Sequence, residues 1–260
     1  MSLDYILPVG QQAVGAALST VTNLVGTVQA DLSMGAFRVQ CVDAGTNTVQ
    51  GDAILQEFRI ANQSVFCSNG TAFPASALQA NVQAQDYVAN VTMSAGTSVS
   101  YSVLGGALAG GYDIGGWICT DPIAPDELPP GASPGDFDLS SISLLYGLNA
   151  ALVPAVVGGT VVMNAVCNRT CRLGKLFLSD AAFTGTATVT SVLVGGSEQL
   201  AQSTTVGIPV SAFHPLSTMN NGDFDIDKII TPGEQVQITI RNSTAVAFTM
   251  IGGIYCLPLS

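Results

Sequence analysis

The chain has 260 residues, which suits one large domain or two of about 130 residues each. Charged residues make up 10% and hydrophobic residues 48%, so the surface is poorer in charge than that of an ordinary soluble domain. The net charge of −11 argues against direct nucleic-acid binding, which needs clustered cations, and the one local cluster (Arg169, Arg172 and Lys175) is small. We expect large, nearly neutral surfaces that partner subunits cover.

The chain opens with an uncharged apolar segment over residues 5–30, and a second one over residues 142–166 begins the second half. Their length and small residues suit a helix, although glycines in the first and Pro154 in the second oppose one. Each is long enough to span a membrane, but both carry polar residues that a spanning helix avoids. Three alternatives remain: strands or helices packed in the fold or at an interface, which we favour, contact with a lipid surface, and membrane spanning.

The rest of each half is typical of β-strands. Val99–Val103 and Val236–Ile240 alternate apolar and polar residues, the pattern of a half-buried strand, and a glycine turn precedes each. Further strands are predicted near residues 37–42, 54–60, 187–194, 224–230 and 248–256. Short strands separated by Gly, Asn and Ser predict an all-β fold of sandwich or jelly-roll type.

The two halves repeat one plan. Residues 85–119 align without gaps to residues 222–256 at a constant offset of 137, and seven of the 35 pairs are identical. The matched pairs of segments include Ile114–Cys119 with Ile251–Cys256, Pro74–Leu78 with Pro209–Phe213, and Phe58–Ile60 with Val192–Val194. The same order of matches in both halves indicates an internal duplication. We expect Trp117 and its counterpart Ile254 to be buried.

A linker separates the two copies. Residues 121–138 contain five prolines and several acidic residues, a composition typical of an extended, exposed connector. The sequence therefore predicts a first module over residues 1–130 and a second over residues 131–260.

Three aspartates form the sharpest acidic feature. Asp223, Asp225 and Asp227 alternate along a predicted strand, so their carboxylates would share one face. Hard cations such as calcium prefer oxygen ligands of this kind, and a calcium site is one interpretation of the pattern. A solvated strand face is the alternative, and we favour it.

Enzyme chemistry has little support in the sequence. A triad of the Ser–His–Asp or Cys–His type would have to use His214, the one histidine, which we interpret as a surface residue. Among six cysteines, Cys167 and Cys171 are closely spaced, but no second cysteine pair completes a tetrahedral zinc set. Buried thiols or disulfides are both compatible with the even count. We therefore predict a protein without catalytic residues or an organic cofactor.

Two tandem β-sandwich modules of this size and low charge resemble the double jelly-roll coat proteins of icosahedral viruses. The resemblance lies in duplication, size and strand content over most of the chain, and not in a motif. It implies a self-assembling subunit of the virion, a capsid or virion-surface protein, in which a trimer presents six similar sandwiches beside other shell proteins. The alternative is a bacterial or archaeal extracellular surface, filament or adhesin subunit. A carbohydrate-binding module has less support, because the chain has one tryptophan.

Overall fold

A computed structural model describes residues 5–14, 21–29, 31–43, 52–78, 87–105, 112–122, 143–180, 186–200, 207–215 and 225–259. These residues form antiparallel β-strands and short 3-10 turns, which confirms the predicted all-β fold. Within these ranges, no helix has the length and apolar character needed to cross a membrane.

The first half forms two antiparallel sheets. Its strands are β1 (Tyr5–Val14), β2 (Val21–Thr27), β3 (Leu32–Asp43), β4 (Ile54–Ile60), β5 (Gln63–Ser64), β6 (Phe73–Pro74), β7 (Tyr87–Met93), β8 (Ser98–Leu104) and β9 (Tyr112–Pro122). One sheet has the order β1-β9-β3-β7, and the other has the order β2-β8-β4-β5, with β6 also paired to β4. The chain crosses repeatedly between the two sheets, which is the connectivity of a jelly roll.

The second half has the same connectivity. Its strands are β10 (Leu144–Gly147), β11 (Ala151–Val153), β12 (Thr160–Val166), β13 (Cys171–Asp180), β14 (Ala187–Val194), β15 (Ser197–Glu198), β16 (Ile208–Pro209), β17 (Asp225–Ile230), β18 (Gln235–Asn242) and β19 (Phe248–Pro258). Here the sheet orders are β10-β19-β13-β17 and β12-β18-β14-β15, with β11 on β19 and β16 on β14. The predicted pair of tandem jelly rolls is therefore confirmed.

Alternating side chains fill the space between the sheets of each half. Every second residue of β8 and of β18 is buried, as the apolar–polar alternation predicts. In the first core, Phe37 stacks on Phe58 with ring centroids 4.1 Å apart, and Tyr101 meets Phe37 edge-on at 5.4 Å. Burying each such ring contributes roughly 2–3 kcal/mol, in addition to the buried aliphatic side chains of the same core.

The described residues of the two apolar segments form strands, so they are packed in the fold as we favoured, while the helical form suggested for them is wrong. Residues 5–30 contribute β1 and β2, and residues 142–166 contribute β10, β11 and β12. These strands pair inside the sheets: β1 pairs with β9, and β12 pairs with β18. Glycine, proline and β-branched residues oppose a helix, and sheet pairing satisfies the backbone while apolar side chains enter the core.

Segments that align in the sequence occupy equivalent strands. Residues at the offset of 137 fall on β8 and β18, and on β9 and β19, each between corresponding neighbours. Upstream, β4 has a register shift between Leu55 and Glu57 against β8, and β14 has one between Val189 and Ser191 against β18. In both halves a two-residue strand, β6 or β16, then leads into a 3-10 turn.

Candidate functional site: the junction of the two halves

The segment between β5 and β6 joins the first half to the second. Phe66 forms a parallel bridge with Leu145, and Ala72 forms an antiparallel bridge with Leu148. The Cys67 amide donates to the Leu145 carbonyl at 2.9 Å, and the Leu145 amide donates back to Val65 at 3.0 Å. The segment thus extends a sheet of the second half, and its backbone polar groups are satisfied across the junction.

Glycines allow the backbones to meet at this junction. A Cβ atom on Gly70 would lie 2.0 Å from the carbonyl oxygen of Gly147, and one on Gly147 would lie 2.7 Å from the oxygen of Gly70. These distances are far below van der Waals contact, so a side chain at either position would push the two halves apart. Next to them, the Ser68 hydroxyl donates to the Gly147 carbonyl at 2.7 Å.

Aromatic side chains form a shared core across the junction. Phe73 of the first half stacks on Tyr255 of the second with ring centroids 5.7 Å apart, and Phe177 meets Tyr255 edge-on at 4.8 Å. The Tyr255 hydroxyl donates to the Ala77 carbonyl at 2.6 Å. Phe177 and Tyr255 belong to the same buried cluster as the core of the first half, so side chains of the second half complete that core.

Four buried cysteines also meet at the junction. The Sγ atoms of Cys67, Cys171 and Cys256 all lie within 4.8 Å of one another, and that of Cys171 is 3.8 Å from that of Cys67. Hydrogen bonds from Cys171 and Cys256 lower the pKa of the Cys67 thiol, while burial raises that of Cys256. Cys167 lies within hydrogen-bonding reach of Cys171, and its thiol donates to the Arg169 carbonyl at 2.7 Å.

A buried carboxyl group supports the turn after β6. Asp52 is 1% exposed and accepts hydrogen bonds from the Ser76 amide, at 2.9 Å, and from the Ser76 hydroxyl. Burial raises the pKa of Asp52 to about 6, because desolvation disfavours the charged form more than the hydrogen bonds favour it.

Two of the three aspartates proposed for calcium lie in the described part of the chain. Asp223 lies outside the described residues, while Asp225 and Asp227 are exposed on β17 and line a surface pocket with Arg172 and Lys175. Asp227 has a positive φ of 47°, and its carboxylate is 3.5 Å from the Arg172 guanidinium. This cation competes with a metal ion, and the left-handed backbone breaks the regular strand alternation. A calcium site here stays a prediction.

The remaining residues singled out in the sequence have mixed outcomes. Ile254 is fully buried, as predicted, whereas the side chain of Trp117 lies outside the described residues. The interpretation of His214 as a surface residue is only partly right, since it is half-buried in a pocket with Asp180 and Ser211. Burial lowers the pKa of His214 to about 4, against the opposing effect of the Asp180 carboxylate.

Four exposed apolar side chains of the second half lie on β11 and on the loops that follow β11 and β18. Leu152, Val156, Val157 and Val246 are exposed by 67%, 61%, 66% and 49% respectively, and we call these four residues the valine patch. The Asn242 side chain donates to the carbonyls of both Pro154, at 2.6 Å, and Val246, at 2.9 Å. These two bonds hold together the two loops that carry the patch.

No pattern in the sequence predicts the contacts at the junction. Cys67 and Cys171 are separated by 104 residues, and Phe73 and Tyr255 by more, so no local pattern joins them. The repeat pairs Gly252-Gly253 with Gly115-Gly116 of the first half. Because both halves have the glycine pair, the sequence does not indicate that Gly253 in particular packs against Phe73.

No protein-family model and no curated protein matches this sequence. Among solved structures, the crystal structure of the STIV major capsid protein (MCP) is similar to the structure of this chain. The similarity covers 97% of this chain and 96% of that chain, with a TM-score of 0.45 and 9% sequence identity. We therefore base the function of this chain on its own residues and strand pairing.

Proposed function

We propose that this chain is a shell-forming subunit, the coat protein or a surface protein of an icosahedral virion. The observation that carries the proposal is the pairing of two jelly rolls with the same strand order in one chain. A free binding module or an enzyme does not need two such units locked through a shared core. A subunit of a closed lattice gains from them, because each chain then offers two similar faces for lateral contact.

We infer that the two halves, residues 1–130 and 131–260, descend from one duplicated module. The register shifts in β4 and β14 support a common origin, because they fall at equivalent positions when the pairing of Phe58–Ile60 with Val192–Val194 is extended backwards without a gap. Such a shift is a specific local feature that related modules keep and unrelated sandwiches have no reason to share.

A homotrimer is the assembly that this architecture favours. Three copies would present six similar sandwiches around one axis, which approximates the six-fold positions of a closed shell. The low charge of the chain supports extensive contact between copies, since 10% charged residues leave large neutral surfaces. The valine patch is our candidate for one such contact with a second copy of this chain, because isolated monomers rarely expose ordered apolar clusters.

Direct contact with nucleic acid is not part of the proposal. Arg172 faces Asp227 in an ion pair, and the Lys175 side chain is 5% exposed, so the basic cluster in the sequence offers little free charge to phosphates. Other shell proteins and lipid contact through residues 5–30 and 142–166 stay predictions. Flotation of the purified protein with anionic and neutral vesicles tests the lipid contact.

Electron microscopy of the purified protein, combined with its mass in solution, tests the main proposal. Trimers or closed shells would support a coat subunit. Filaments or flat sheets would instead favour an extracellular surface or filament subunit. A monomer that stays dispersed at high concentration would contradict both.

The valine patch makes a separate prediction. Val156→Asp combined with Val157→Asp places two charges in the patch, and we expect the trimer to dissociate because burying them costs several kcal/mol. Light scattering after gel filtration measures the mass. Val25→Asp, at an exposed position in β2 of the first half, is the matched control and should leave the trimer intact. Equal masses for the patch variant and the wild type would exclude the patch from the interface.

A further inference from the structure

The cysteine cluster brings together thiols from distant parts of the chain. Cys67 comes from the segment between β5 and β6, Cys171 begins β13, and Cys256 lies in β19. All three are at most 1% exposed, and their sulfur atoms converge within 4.8 Å. Among the residues that the structure describes, these three cysteines are the group of His, Cys, Asp or Glu side chains that lie close enough together to hold a metal ion.

We propose that Cys67, Cys171 and Cys256 bind a structural zinc ion as thiolates, with Cys167 as the fourth ligand. In a tetrahedral site with Zn–S bonds of about 2.3 Å, neighbouring sulfur atoms are about 3.8 Å apart. The Sγ atoms of Cys67 and Cys171 are 3.8 Å apart, so this edge of the tetrahedron is already formed.

The position of Cys167 suits the fourth ligand. Three residues separate Cys167 from Cys171, a spacing that falls within the range of structural zinc sites. Its backbone is fixed beside Cys67, because Cys167 forms a bridge with Ser68 and its amide donates to the Glu234 carbonyl at 2.7 Å. Its thiol already lies within hydrogen-bonding reach of Cys171.

The ligand chemistry selects zinc over hard cations. Thiolates are soft ligands that favour zinc, whereas calcium and magnesium need oxygen atoms. Four ligands of one kind also leave no open position for a substrate, which marks the site as structural. The zinc ion would connect the halves, because Cys67 belongs to the first and the other three cysteines to the second. This inference does not depend on the proposed coat function.

Zinc content and thiol count of the wild-type protein, purified without chelators, test the proposal. We expect a single zinc ion per chain and, after denaturation without reductant, reaction of all six cysteines with a thiol reagent. Exchange with Co²⁺ should give the intense visible absorption of tetrahedral cobalt thiolate. A thiol count of four in a protein without zinc would indicate a disulfide in place of the metal and overturn the proposal. Six free thiols without uptake of Zn²⁺ or Co²⁺ would overturn it as well.

Single substitutions locate the site. Cys171→Ser and Cys256→Ser should each abolish the cobalt thiolate absorption and the stoichiometric zinc. Cys119→Ser changes the repeat counterpart of Cys256 in the first half and should keep both. Zinc retained by both serine variants at the site would contradict the assignment. If a variant does not fold, the wild-type metal and thiol measurements still decide the proposal.

Discussion

The buried carboxyl group of Asp52 makes the stability of the fold depend on pH. It is fully enclosed and holds the Ser76 backbone and hydroxyl, yet its carboxyl group has a pKa raised to about 6 from an ordinary value of 3.8. The folded protein therefore prefers the protonated form. Its contribution to stability is complete below pH 3.8 and is lost as the pH rises through about 6.

We expect Asp52→Asn to flatten the pH dependence of stability. Asparagine keeps an acceptor for the Ser76 amide but carries no charge, so the loss of about 3 kcal/mol between pH 4 and pH 7 should disappear. Urea denaturation at several pH values in this range measures the free energy of unfolding. Asp225→Asn, at an exposed position in β17, is the control and should preserve the wild-type slope. A variant as pH-dependent as the wild type would show that Asp52 is not the source.

Strand β19 packs closely against the first half. A Cβ atom on Gly253 would lie 2.2 Å from Cδ2 of Phe73, so the aromatic ring of the first half occupies the space of a missing side chain. Gly252 and Gly253 thus serve close packing in β19, and not backbone flexibility.

Gly253→Ala should destabilise the protein by about 2–3 kcal/mol, because the methyl group displaces Phe73 from a filled core. In a Phe73→Leu background the cost of Gly253→Ala should be smaller, since leucine leaves room. Chemical denaturation of the four proteins gives the coupling energy. Gly196→Ala, with no atom within 4 Å of its built Cβ but with a φ of 82°, is a control for backbone strain alone. Additive effects of the Phe73 and Gly253 changes would rule out the contact.

The two sandwiches form a single unit at the scale of the molecule. Phe66 and Phe73 of the first half, and Leu145, Phe177 and Tyr255 of the second, are buried in one core. This shared cluster holds the two halves together.

Separate expression of residues 1–130 and 131–260 tests this unity. We expect each piece to aggregate or to bind a hydrophobic dye, because the junction exposes a large apolar surface. Co-expression should recover a soluble complex of the two pieces. Gel filtration and dye fluorescence measure both outcomes. Two stable, soluble monomers that do not associate would show that the modules are independent.

The sequence by itself determined the β-rich class, the tandem arrangement and several strands. Alternation in Val99–Val103 and Val236–Ile240 predicted β8 and β18, because side chains on a strand point to opposite faces in turn. The alignment of the halves predicted which strands are equivalent. For the apolar segments the sequence left strands and helices open, since length and small residues do not reveal a partner strand.

Only the tertiary structure decided the junction and the cysteine cluster. Cys67 and Cys256, or Phe73 and Gly253, are far apart along the chain, and their contact depends on how two complete sandwiches dock. Local propensity carries no information on such contacts, because the physical cause is complementary shape between surfaces that exist only after each sheet has formed. The sequence therefore defined the modules, and packing between them created the candidate sites.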